Sequence, residues 1–306
     1  MKKKALITGA NGFIGRSLMR CIQTKYPSWD VAGIDLTRSN SSTKVFACDL
    51  TESNKVASIL KNVRPHYIFH LSGGRRGDEV QLYQSNFVTT KILLDAISRI
   101  NDYRPRIVIP GTAAEYGKID PSIKLVDEHT IPQPRSFYGF IKYMQTSLGL
   151  MYAKKGLDVI IARMFNILGA GTPVTLSIGK FVQEIVAIER GRKDKTIHAY
   201  SLSGQRDFLD VDDICVAWPI LAQQGRSGQI YNICSAKAFG IRDLLKRLIR
   251  MSTVRGVVIR ENNKAISESF DVIGSNGKIK RETDWRPVYS IEESLRRTLQ
   301  YYRQNR

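Results

Sequence analysis

Apolar residues fall into short runs of strand length in the first half of the chain, and between the runs they recur at helical spacing. The strand-like runs are Ala5 to Thr8, Val31 to Ile34, Val45 to Ala47, Tyr67 to Leu71, Ile107 to Pro110 and Val159 to Arg163. Helical patterns occupy Ile14 to Lys25, Lys55 to Val63, Tyr83 to Asn101 and Tyr138 to Lys155. Strands alternating with helices predict an α/β chain with a doubly wound parallel sheet, covered on both faces. Ligands of such sheets bind beyond the carboxyl ends of the strands. After Gly169 the rhythm changes. A loop rich in Gly, Thr and Pro leads to a helix through Ile188, a short strand near Thr196, the phrase RDFLDVDDI, the strand-like QIYNI and a helix from Arg242. Ser290 with Glu293 three residues on predicts a capping box that opens a last helix.

The first strand runs directly into TGANGFIG, Thr8 to Gly15. Gly9 permits a tight turn, Gly12 lets backbone N–H groups approach a pyrophosphate, and Gly15 lets the following helix pack closely. The helix amino end, with Asn11, Phe13 and Ile14 around it, favours negative charge. Three glycines alone also suit an ordinary turn. Asp35, at the tip of the second strand about twenty residues on, strengthens the dinucleotide reading, because a carboxylate there binds adenosine ribose hydroxyls. It favours NAD(H), since a 2′-phosphate is repelled; Arg38 and Ser39 close by leave NADP(H) open. The expected architecture is therefore Rossmann-type. Residues 1–168 form the dinucleotide-binding part, and residues 169–306 form a smaller α/β substrate lobe, some of whose segments return to the large sheet.

Chemistry is suggested by Tyr138 and Lys142, which share one helix face at i and i+4. A fixed ammonium beside a phenol lowers its pKa from about 10, towards the range where it exchanges protons at neutral pH. Taken alone, such a pair usually decorates a surface. Thr112 ends the run IVIPG, so it is expected at the carboxyl end of a parallel strand, where its hydroxyl can hold a carbonyl oxygen while Tyr138 delivers a proton.

Composition narrows the classes. The 306 residues are 42% hydrophobic and 25% charged, ordinary for a globular chain. VIIARMFNIL, the most apolar stretch, is broken by Arg163, so no membrane helix is expected. The first strand follows MKKK at once, leaving no room for a signal peptide. Cys21, Cys48, Cys215 and Cys234 have no metal-binding or redox spacing, which points to free thiols in the cytoplasm and no metal. With 47 basic and 28 acidic residues the net charge is +19. Because the basic residues are scattered, an anionic small substrate is expected rather than nucleic acid.

With these motifs the chain resembles the extended short-chain dehydrogenases/reductases of the NAD-dependent epimerase/dehydratase group, essentially from end to end. Asp49-Leu50, His70-Leu71-Ser72-Gly73, Asn86, Phe165-Asn166 and RDFLDVDD, with Arg206 and Asp213, all extend the likeness. GTAAEYG, FVQEIVAIERG, YNICSAKAFGIRDLL and IGSNGKIKRETDWRP are most similar to reductases of GDP-4-keto-6-deoxymannose. The resemblance implies that Asp49 and Leu50 lie near the adenine, and that Leu71, Ser72 and Gly73 lie beside the cofactor. It also implies that Asn166, Arg206 and Lys180 meet a nucleotide-diphosphate sugar, and that the protein is a homodimer built on the helices at 83–101 and 138–155. In that family Lys142 also binds the nicotinamide ribose.

Related dehydratases carry acidic residues directly after the catalytic Thr, where this chain has Ala113 and Ala114. Methyl groups cannot serve as acid or base for an elimination, so reduction at C4 is expected rather than 4,6-dehydration. Glu115 comes one position late, and in an extended segment it would face the opposite side. A 4-epimerase with tightly bound NAD, or a non-catalytic nucleotide-binding protein, would use the same cofactor turn. Where relatives often place an Arg for the diphosphate, the chain reads Asn263-Lys264-Ala265-Ile266, with Lys264 a point charge lacking the bidentate fork. The nucleotide base therefore stays open.

Overall fold

The apolar runs become β1 (Lys4–Thr8), β2 (Asp30–Asp35), β3 (Val45–Ala47), β4 (Tyr67–His70), β5 (Arg106–Thr112) and β6 (Asp158–Met164), each within three residues of its predicted bounds. The computed structural model describes residues 2–38, 43–120, 122–261 and 271–305. Ser39 and the segment Asn263 to Ile266 therefore lie outside the described residues. Helices α1 (Phe13–Lys25), α2 (Ser53–Val63), α3 (Glu79–Tyr83), α4 (Thr89–Ser98) and α5 (Phe137–Lys154) connect the strands. The helix expected over 83–101 differs. It begins at Glu79 behind a capping box on Asp78, passes through a wide turn at Gln84–Val88, and ends at Ser98. Its sequence signal was masked because Val80 faces solvent and only Leu82 is buried in the first turn.

The second half adds β7 (Asn166–Leu168), α6 (Ser177–Glu189), β8 (Thr196–Ala199), β9 (Gln205–Arg206), β10 (Phe208–Asp210), α7 (Val211–Gln224), β11 (Ile230–Ile233), β12 (Phe239–Gly240), α8 (Ile241–Met251), β13 (Val258–Glu261), α9 (Gly277–Glu282) and α10 (Ile291–Asn305). The expected capping box opens α10: the Ser290 hydroxyl and N–H both donate to Glu293 Oε2, and Glu293 N–H donates back to Ser290 Oγ.

Seven parallel strands form the main sheet in the order β11-β6-β5-β4-β1-β2-β3. The order reverses between β1 and β4, which opens a crevice at their carboxyl ends. One face is closed by α1 and α7, with Leu18, Ile22, Trp218 and Trp285 at its centre. The other is closed by α2, α4 and α5 through Leu60, Leu93, Leu94 and Leu148. Gly149 lets α5 lie close, since a Cβ there would stand 2.9 Å from Ile161 Cδ1. A separate core joins α6, α8 and α10 around Phe181, Leu245 and Leu299, so the lobe buries apolar surface of its own. Three two-stranded ladders, β7–β10, β9–β12 and β8–β13, complete the second half. No helix among the described residues is long and apolar enough to cross a membrane.

Candidate active site

The glycine turn lies at the mouth of this crevice. Gly9 has a φ of 66°, in the left-handed region, and a Cβ there would lie 2.7 Å from Leu71 O. At Gly15 a Cβ would come within 2.1 Å of Gly9 O. Only bare backbone permits this geometry, and it leaves the amino end of α1, whose N-cap Gly12 has no capping side chain, facing the crevice. Phe13 and Ile14 form its first turn. Such a cradle fits a pyrophosphate. Asp35, at the tip of β2, accepts from Asn11 N–H and Leu36 N–H, both at 2.8 Å, so the carboxylate is fixed beside the turn. Asp49 accepts from Thr51 N–H at 2.8 Å, and Leu50 is buried. Ser72 N–H donates to Thr8 Oγ1 at 3.1 Å. Gly73 packs on Asn86, whose Oδ1 would be 2.5 Å from a Cβ.

At the end of β5 the chain turns sharply over Ala113–Glu115. Ala114 N–H donates to Thr112 Oγ1 at 3.3 Å. Helix α5 starts directly against this turn: Ser136 Oγ accepts Gly139 N–H at 3.0 Å, and a Cβ on Gly139 would lie 2.5 Å from Ala114 O. That close approach carries Tyr138, the preceding residue, towards Thr112, whose hydroxyl works against the burial that raises the phenol. Thr112 and Tyr138 thus meet as the spacing predicted.

Two expectations about this site are corrected. The Tyr138 phenol is pushed above its usual value, chiefly by burial, and the cation opposing that rise is Arg75 of the β4–α3 loop. Lys142 does not supply the lowering, because its ammonium donates to Pro110 O at 2.7 Å and to Gln145 Oε1. Burial lowers Lys142 itself to about 8, with the Glu115 charge holding it up in part. The second correction concerns Glu115. The segment is a turn, not extended, so its carboxylate folds back into the protein. It accepts Thr112 N–H at 2.7 Å through Oε1, and pairs with Arg163 at 2.7 Å through Oε2. Both side chains are buried, and the Arg163 guanidinium lies 4.7 Å from the Tyr116 ring centre.

The expected sugar-nucleotide residues line the lobe side. Asn166 Nδ2 donates to Asp207 O at 3.0 Å. Arg206 pairs with Asp271 at 3.3 Å, which also accepts Gln205 N–H. Lys180 sits 4.6 Å from the Tyr200 ring centre, and 3.9 Å from Glu184. Asp213 lies apart from this group, fixing Val288 N–H and Tyr289 N–H at 3.0 Å each. Arg76 crosses the cleft to Thr175 O at 2.9 Å.

Sequence reasoning missed Arg75, the Glu115–Arg163 pair and Gln145. Arg163 carried a usable signal, since a lone charge inside a strand covered on both faces requires a partner. Gln145 shares a helix face with Lys142 at i+3. Arg75 sits in a polar loop with nothing to mark it.

A family model described as NAD dependent epimerase/dehydratase family matches residues 5–234. The chain is 25% identical to GDP-6-deoxy-D-mannose reductase of Pseudomonas aeruginosa over 306 residues, 98% of this chain and 97% of the relative. It is 28% identical to GDP-6-deoxy-D-talose 4-dehydrogenase of Aggregatibacter actinomycetemcomitans over 253 residues, 81% of this chain and 80% of that one. Its fold matches the solved structure of RMD from Pseudomonas aeruginosa complexed with NADPH, with a TM-score of 0.87 and 26% identity, covering 99% of this chain and 98% of the other. The family model spans most of the chain, so the protein belongs to the NAD dependent epimerase/dehydratase family.

Proposed function

We propose that this protein is an NAD(P)H-dependent reductase that converts the C4 carbonyl of a nucleotide-linked 4-keto-6-deoxyhexose to a hydroxyl. The observation that carries the reading is the meeting of Thr112 and Tyr138 at the end of β5, followed by two methyl side chains, Ala113 and Ala114, where an elimination needs acid and base. The names of the two curated relatives, a GDP-6-deoxy-D-mannose reductase and a GDP-6-deoxy-D-talose 4-dehydrogenase, support it.

The glycine cradle fits a dinucleotide, held by Gly9, Asn11, Gly12, Phe13, Ile14 and Gly15, with Asp35 at the ribose and Asp49, Leu50, Leu71, Ser72 and Gly73 along its length. Bound there, a reduced nicotinamide supplies hydride. Thr112 orients the carbonyl oxygen by hydrogen bonding, and the Tyr138 O–H gives its proton to the oxygen as negative charge develops. A phenol raised by burial stays protonated in the resting protein, as a proton donor must. Arg75 steadies the phenolate left behind, and Lys142 holds the ribose. Asn166, Arg206 and Lys180 receive the diphosphate and nucleotide, in keeping with the +19 charge. Asp35 favours NAD(H), whereas the NADPH of the matched RMD structure supports NADP(H). The same reading places the protein in the cytoplasm as a homodimer, for which exposed Tyr83, Phe140, Tyr143 and Met151 on α3 and α5 provide an apolar face.

The test offers GDP-, dTDP-, UDP- and CDP-linked 4-keto sugars with NADH and NADPH, and follows loss of reduced nicotinamide. One-for-one consumption is expected with at least one sugar; an epimerase shows no net change. Tyr138→Phe should bind cofactor normally and lose most turnover, and full activity in that variant would remove Tyr138 from the mechanism.

A further inference from the structure

Beneath Tyr138 runs a chain of buried polar groups that crosses from α5 to the strand leading into the glycine turn. Its donors and acceptors are fixed by chemistry. Lys142 has no acceptor, so the amide oxygen of Gln145 faces it and Gln145 Nε2 faces Thr90 Oγ1, at 2.6 Å. The Thr90 hydroxyl donates to Asn86 O at 2.5 Å, which uses its one proton. His70 Nε2, 2.8 Å from Thr90 Oγ1, must therefore donate, and His70 Nδ1 accepts from the Thr8 hydroxyl at 2.8 Å. Thr8 Oγ1 accepts Ser72 N–H in turn. Thr8, His70, Thr90 and Gln145 have no exposure to solvent. The imidazole is neutral, since burial and then the Lys142 charge bring it to about 3.

We propose that Gln145 is a positioning residue for the reaction: it holds the Lys142 ammonium through a neutral amide that Thr90, His70 and Thr8 lock to the cofactor turn and Ser72. The inference rests on the reading of Lys142 as the cation that meets the cofactor ribose. A neutral acceptor supports the ammonium by hydrogen bonding without adding a negative charge. The groups facing Lys142 are Glu115, with Arg163 of β6 behind it, and the neutral His70 of β4, while Tyr138, one turn back on the same helix, meets Arg75 and Glu115. Glu115 shares its charge with Arg163, so the hydrogen bonds that the ammonium donates to Gln145 Oε1 and Pro110 O decide how firmly it keeps its proton and where it points.

The experiment measures two pH profiles for the full-length protein, kcat/KM and the affinity for the dinucleotide alone, in wild type, Gln145→Leu and Gln145→Glu. The alkaline limb of both profiles should lie near the Lys142 value of about 8 in the wild type. Loss of the acceptor in Gln145→Leu should move both limbs down by about one pH unit, with a roughly fivefold loss of dinucleotide affinity at the wild-type limb, approaching about tenfold above it. Gln145→Glu, of equal size, sets a carboxylate against the ammonium and should move both limbs up. Limbs that coincide with wild type in both variants overturn the proposal. Should Gln145→Leu fail to fold, the direction of the Gln145→Glu limb decides alone, and an unmoved limb overturns it. Tyr138→Phe keeps the two levels apart: if that variant turns over fully the reductase reading falls, while the dinucleotide-affinity limb still judges Gln145.

Discussion

Replacing Glu115 by Gln tests the buried ion pair behind the Ala113–Glu115 turn with almost no change of shape. The substitution keeps an oxygen for Thr112 N–H and removes only the charge opposite Arg163, whose side chain is 1% exposed, whose Nη2 makes the bond to Glu115, and whose Nε and Nη1 have no hydrogen-bond partner among the described residues. At 2.7 Å the pair attracts by about 6 kcal/mol at an effective dielectric of about 20. The Tyr116 face returns only about 1–2 kcal/mol to the stranded guanidinium, so a net loss of about 3–5 kcal/mol is expected. At about 2 °C per kcal/mol for a chain of this size, the melting temperature should fall by roughly 6–10 °C. The double variant Glu115→Gln, Arg163→Met no longer buries a lone charge and should recover most of the loss. Thermal unfolding followed by circular dichroism at neutral pH, without ligand, reads all four species of the cycle. A Glu115→Gln protein that melts within about 2 °C of wild type, or a double variant no better than the single, would refute the account of a charge held only by its partner.

Two further substitutions address the cleft and the catalytic turn. Asp271→Asn frees Arg206 from a pair whose acid is 51% exposed and therefore weakly bound; KM for the nucleotide sugar should fall about two- to fivefold with kcat unchanged, the pair itself having contributed under about 1 kcal/mol. A higher KM in steady-state assays would mean that Asp271 organises Arg206 and does not compete for it. Gly139→Ala pushes a methyl towards Ala114 O, 2.5 Å from the ideal Cβ, and should separate Tyr138 from Thr112. Turnover should then drop at least about tenfold, as for a misplaced proton donor, while dinucleotide affinity changes little; unchanged kcat would contradict the close-approach argument.

The parallel sheet was legible because its strands are covered on both faces, so Ala5 to Thr8 and Val159 to Arg163 read as near-continuous apolar runs. Thr112 and Tyr138 were legible because strand ends and helix faces are local properties of sequence. What Lys142 does to Tyr138 was not, since it depends on where the ammonium finds acceptors, and both Pro110 O and Gln145 Oε1 draw it aside. The spacing also could not reveal that a turn at Ala113–Glu115 folds the carboxylate inward, because that turn depends on Arg163, 48 residues away. Arg75 enters only through the tethering of its loop, by Asn86 Nδ2 on Gly74 O and Arg76 on Thr175 O.

Strand β11 takes the outer place beside β6 although it lies after α7, so the large sheet is completed by chain that follows β7 to β10. The two halves are stitched, not strung. A fragment ending at Leu168 would leave the hydrogen-bonding edge of Asp158–Met164 bare, and would lose Trp218 and Trp285 from one face. An exposed flat edge of that kind invites pairing between copies. The half that carries the glycine turn is therefore no portable module: grafting it onto another second half would require the donor to bring an equivalent of Ile230–Ile233, and a library of such exchanges should be cut on the far side of that strand.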